Sequence, residues 1–197
     1  MKNLLPAALL CGLLSAHAQE PRVFSSYEEL YASLPARLFT GDGEEIAVSS
    51  RHSVRIDGKQ YRLNRALAFP GEDVYPADLG KTATLYRSAG HYCIEGTGSS
   101  SGTGSRHLSV YLMEARGARI RKLPSLFGSC KGIALDGEKR IRFFLARIID
   151  YRAAYDAEGV EFIEYADDGK SSVPSGEILR TRFVETGNFY RFTLREN

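Results

Sequence analysis

Tryptophan is absent from the 197 residues, methionine occurs only twice and cysteine three times. No apolar run approaches the roughly 20 residues that a membrane-spanning helix needs, so no span is expected. Neither sign of charge dominates, with 26 Lys+Arg against 24 Asp+Glu. That balance argues against a nucleic-acid binder. The metal spacings H-x-H and H-E-x-x-H and the redox spacing C-x-x-C are also missing, so no metal, cofactor or complete catalytic set is expected.

What is present begins with an address. Lys2 is followed by an apolar run from Leu4 to Leu14 and then by Ala16-His17-Ala18, a small-x-small cleavage pattern. Residues 1–18 therefore read as a removed secretory signal and residues 19–197 as one exported domain, periplasmic or secreted. Cys11 follows Leu10, where a lipid-anchored protein would want a small residue. Cys93 and Cys130 then remain in an oxidising compartment, and a structural disulfide between them is predicted.

One helix is well signalled. Tyr27, Leu30, Tyr31 and Leu34 repeat at helical spacing, Ser26 with Glu29 makes a capping box, and Pro35 marks the stop. The period then changes to two. Residues 53–56 and 59–63 flank Asp57-Gly58, a pair suited to the positive φ angles of a tight hairpin. Further strands are predicted over 82–86, 91–95, 107–114, 118–123, 133–135, 160–165, 178–185 and 189–194. They are separated by turn formers such as Asp136-Gly137, Glu158-Gly159, Asp168-Gly169 and Gly187-Asn188. Residues 141–155 fit either period and are read as a strand. The expected fold is mainly β, a single antiparallel β-sandwich or barrel-like domain with one N-terminal helix.

Several chemical patterns are incomplete. Gly98-Ser99-Ser100-Ser101-Gly102 matches G-x-S-x-G, but it belongs to a Gly/Ser loop over 96–105, precedes a strand, and has no later acid-and-histidine order after His107. Gly80-Lys81-Thr82 has Tyr75 where a phosphate loop needs its first glycine. His91 and His107 flank the Gly/Ser loop and would make a metal pair only if they faced each other with Glu95 or Glu114. Glu44-Glu45 and Asp167-Asp168 read as solvated turns.

The strongest pattern is segregated charge. Residues 106–147 carry ten basic side chains against three acidic ones, and residues 148–177 carry eight acidic against two basic. Either the two blocks occupy different faces and steer a charged partner, or neighbouring strands pair them; both remain open. Tyr151, Tyr155, Phe162 and Tyr165 lie in the acidic block, where they could build a surface for a basic protein or face the core. Candidate partner-binding residues are Arg116, Arg119, Arg121, Lys122, Tyr155, Glu161, Glu164 and Tyr165.

These features lead to the expectation of an exported binding protein, an inhibitor or immunity-type protein that occludes a partner enzyme or toxin in the cell envelope. The alternatives are a carrier or sensor of a small apolar ligand, and an envelope hydrolase using His91 or His107 with Ser100 or a carboxylate. Nothing in the residues sets an oligomeric state.

Overall fold

A computed structural model describes residues 21–50, 52–88, 90–98, 106–116, 119–149, 156–167 and 170–195. The signal segment, Tyr151, Tyr155, Asp168-Gly169 and residues 99–105 of the Gly/Ser loop lie outside the described residues. The chain is mainly β, with one α-helix among the described residues and fourteen strands.

Helix α1 (Tyr27–Ser33) starts where Ser26 Oγ accepts the Glu29 N–H at 3.1 Å. The return bond of the box is displaced by one residue, because Glu29 Oε2 accepts from the Ser25 N–H at 3.0 Å. Leu34 caps the helix in an extended conformation, the geometry that a following proline imposes.

Twelve of the strands form two open sheets, neither of which closes into a barrel, and the other two form a separate hairpin. Sheet I runs in the order β1 (Val23–Phe24), β14 (Phe192–Leu194), β13 (Ser172–Phe183), β12 (Gly159–Asp167), β11 (Ile141–Ile149), β10 (Ala134–Leu135). Sheet II runs β2 (Glu44–Ala47), β6 (Thr82–Ser88), β7 (His91–Gly96), β8 (Ser109–Glu114), β9 (Ile120–Lys122), β5 (Leu67–Ala68). All pairings are antiparallel except β5 with β9. Of the segment of ambiguous period, 141–155, the described residues 141–149 are strand, as expected, and the rest lies outside the described residues.

Alternation along the strands sorts side chains into layers. Cys93, Val110, Leu112, Leu123 and Phe143 fill the space between the sheets. Phe144 and Phe162, on the opposite face of sheet I, pack with Tyr27 and Tyr31 of α1. Ile94, Tyr111 and Met113, on the outer face of sheet II, are covered by the hairpin of β3 (Ser53–Ile56) and β4 (Lys59–Arg62). Asp57 and Gly58 at its tip have φ of 49° and 76°, the predicted turn. The Asp57 carboxylate then ties the hairpin down, accepting from Arg87 Nη1 at 2.9 Å and Tyr92 Oη at 2.6 Å.

Cys93 of β7 is disulfide-bonded to Cys130, the first residue of a 3-10 turn, with Cα atoms 5.8 Å apart. Beside the bridge, Glu95 is buried without a cation. Its carboxylate accepts from Tyr86 Oη (2.9 Å), Ser129 Oγ (3.0 Å) and the Cys130 N–H (2.6 Å). Burial pushes the carboxyl above the usual range, and these hydrogen bonds offset part of that rise. The folded state therefore holds the proton more tightly than the unfolded chain. The contribution of Glu95 to stability is most favourable in acid and is lost as pH rises from the ordinary glutamate value through the raised one. Glu95→Gln keeps an oxygen for Ser129 and Cys130 and offers an N–H to Tyr86 Oη. Denaturation midpoints across this pH window are expected to show the slope flattened in that variant, with neutral-pH stability at least equal to wild type; an unchanged slope would assign it to another group.

Candidate functional site

A cleft of about 740 Å³ opens at the end of sheet II where β7 finishes and β8 begins. One wall is the segment before β6. Phe69 N–H donates to the Lys122 carbonyl at 2.9 Å, continuing the β5–β9 pairing, and the Phe69 ring meets Phe143 and Tyr165 edge-on. Beyond it, Pro76 sits in the first turn of a short 3-10 helix, Pro76–Leu79. A Cβ on Gly96 would lie 2.7 Å from the Leu79 carbonyl oxygen, and one on Gly98 would lie 3.3 Å from that of Asp78. The start of the Gly/Ser segment is thus glycine because the 3-10 turn lies directly against it.

This wall carries Glu72, Asp73 and Asp78 together with Tyr75, whose ring is 58% exposed. Glu72 Oε1 accepts from the Ser125 N–H (3.0 Å) and hydroxyl (3.2 Å), and His107 Nδ1 is 3.2 Å from the same hydroxyl. Asp73 and Asp78 are exposed and form no ion pair with any described residue.

Lys122 of β9 and Ser109 of β8 lie at the bottom, 3% and 4% exposed. Lys122 Nζ donates to Ser109 Oγ at 2.8 Å and stands 5.0 Å from the centre of the Tyr111 ring. Burial lowers its pKa, and the charges of Glu72 and Asp78 partly restore it. Among the described residues no carboxylate comes within ion-pair distance of it.

The predicted partner-binding residues do not share one surface. Arg116 and Arg119 sit at the far end of the β8–β9 hairpin, where Arg119 lies 3.7 Å from Glu114. Arg121 crosses between the sheets to pair with Asp167 of β12, and Arg142 pairs with Glu164. Glu161 accepts from Arg180 at 2.9 Å. Tyr165 is half-buried against Phe143 and Phe69. Part of the segregated charge is therefore paired between strands, and β11 and β12 also set Arg147 opposite Glu161 in register.

His91 and His107 do not face each other. β7 and β8 place His91 opposite Glu114 and Gly96 opposite Ser109, so the two histidines are on the order of 20 Å apart along the strands. No three His, Cys, Asp or Glu side chains among the described residues could hold a metal ion. The space under α1 includes a hollow of about 10 Å³, room for no more than a water.

No helix among the described residues is long and apolar enough to cross a membrane. No protein-family model matches the chain, and comparison with curated proteins and solved structures finds no significant match.

Proposed function

We propose that this is an exported, periplasmic or secreted, binding protein of the inhibitor or immunity type, which occludes a partner by taking a basic segment of it into the cleft beside Tyr75. One contrast carries the reading. Glu161, Glu164 and Asp167 of the acidic block are already answered by Arg180, Arg142 and Arg121, whereas Asp73 and Asp78 flank a cleft and an exposed tyrosine with no such answer among the described residues. Uncommitted carboxylates beside an aromatic ring are what a positively charged segment would meet. The disulfide supports an oxidising location.

The test is capture of a stoichiometric partner from envelope and culture fractions by the oxidised mature protein. Wild type is expected to hold it at low salt and release it as salt rises. Asp73→Asn with Asp78→Asn is expected to weaken binding about tenfold, each lost charge contributing about 0.7 kcal/mol at an exposed rim. A partner held equally by the double variant, or no partner at all, would overturn the reading.

A hydrolase remains a second reading because a hydroxyl 2.8 Å from a lysine nitrogen has the spacing of a nucleophile and its base. In that reaction Ser109 Oγ attacks an acyl carbon, Lys122 in its neutral form accepts the hydroxyl proton and passes it to the leaving group, and a water that gives a proton to Lys122 then attacks the Ser109 ester, releasing the acid and returning the proton to Ser109 Oγ. A serine-directed fluorophosphonate separates the readings. An adduct on Ser109, absent from Ser109→Ala, would replace binding by hydrolysis; unmodified protein retains binding.

A further inference from the structure

The cleft carries both signs of charge at different depths. Asp73 and Asp78 stand exposed at its rim, while Lys122 lies at its floor, 97% withdrawn from solvent by its 3% exposure. An ammonium has three donors, and Ser109 Oγ takes one of them. Tyr111, whose ring lies beside the ammonium, has a buried Oη with no hydrogen-bond partner among the described residues. The adjacent cation on the same strand, Arg121, is matched by Asp167. β9 therefore carries one cation in contact with a carboxylate and one with none in contact among the described residues. Burying a cation without a carboxylate in contact is costly; the charges of Glu72 and Asp78 relieve that cost only in part, and it falls further if an anion arrives.

A second basic side chain cannot be that visitor, since it would repel Lys122. A phosphate brings two charges close to Glu72, Asp73 and Asp78. A single carboxylate with a cation a few ångströms away matches the floor and rim together and adds no net charge. We infer that the cleft is a receptor for a peptide chain end, the α-carboxylate of a segment finishing in Lys or Arg. Lys122 and Ser109 receive the carboxylate, and Asp73 and Asp78 receive the basic side chain. This rests on the proposal that the cleft takes a basic segment, and it names which segment. A cleft of about 740 Å³ lies in the size range of sites that bury small ligands, which suits a chain end and not a folded loop.

The experiment uses the oxidised mature protein and two fluorescent peptides ending in Gly-Lys, one with a free carboxylate and one amidated, followed by anisotropy. Wild type is expected to prefer the free acid by about tenfold, the worth of a charge-assisted hydrogen bond. Lys122→Met keeps the stem length and removes the ammonium; the preference is expected to vanish while amide binding persists. Ser109→Ala, which leaves the ammonium in place, is expected to keep a reduced preference and guards against a folding defect in the first variant. Equal binding of acid and amide to wild type overturns the chain-end inference and leaves the cleft reading standing. A preference that survives in Lys122→Met also overturns it. Failure of both peptides, with a salt-sensitive partner still captured through Asp73 and Asp78, does the same; failure of both peptides and of capture removes the cleft reading as well.

Discussion

Replacing Cys93 and Cys130 together by alanine is expected to lower stability by about 4 kcal/mol, the chain-entropy value for a loop of this length. The bridge spans 37 residues and joins the middle of sheet II to the turn beneath α1. Both cysteines are fully buried between the sheets, so the variant also loses packing around the two sulfur positions. What would still hold the turn is the Glu95 carboxylate, which accepts from Ser129 and Cys130. Urea denaturation of the variant, compared with reduced wild type, measures the effect. Agreement between the two assigns the loss to the covalent link. A loss under about 1 kcal/mol, the typical worth of one hydrogen bond, would show that Glu95 and its donors secure the turn unaided.

Gly159→Ala is expected to cost about 3 kcal/mol or more, at the upper end for an overpacked buried site. Gly159 opens β12 and lies against β13 so closely that a Cβ would overlap the Thr181 carbonyl oxygen and come within 2.9 Å of the carbonyl carbon. The atoms it would meet are backbone, and backbone cannot rotate aside as a flexible side chain does. The two strands are also locked at this point, because Thr181 Oγ1 accepts from the Val160 N–H at 3.0 Å and donates to the Val160 carbonyl at 3.1 Å. Separating them to admit a methyl group strains both bonds. A thermal melt that matches wild type would mean that β13 moves aside freely.

Gly159 also shows where sequence reasoning stops. Glu158-Gly159 reads as a turn signal, yet Gly159 is the first residue of β12; its glycine answers to a neighbouring strand 22 positions later, which no local pattern reveals. The helix, the Asp57-Gly58 hairpin and the cysteine pairing were legible because each is encoded within a short stretch or by elimination. β1, β2 and β5 were not. β1 and β5 have two residues each, and they are strands only because β14 and β9 lie beside them.

The site was legible in fragments. Lys122 was visible as part of a basic block, but its burial follows from strand alternation, which sends Arg121 between the sheets and Lys122 into the cleft. The run Glu72-Asp73-Val74-Tyr75-Pro76-Ala77-Asp78 was the overlooked signal, three carboxylates and a tyrosine around a proline turn. The two charge blocks were read correctly as blocks. Ion pairs join them, Arg142–Glu164 where the hairpin of β11 and β12 folds the end of the basic block back onto the acidic one, and Arg121–Asp167 across the sheets.

The strands that border the two sheets have a consequence for crowding. Sheet I ends on β1 and β10, two residues each, and sheet II ends on β5, two residues, and on β2, whose sequence begins Glu44-Glu45. A border this short presents few unpaired amide groups, and side-by-side glutamates repel a like border approaching them. Of the long strands of sheet I, β12 is flanked by β11 and β13 along most of its length, whereas β10 covers only Ile141 and Arg142 of β11 and β14 covers only Thr181 to Phe183 of β13. Among the described residues the open border of sheet I therefore lies along 143–149 of β11 and 172–179 of β13, and in the latter Pro174 offers no amide for an approaching strand to pair with.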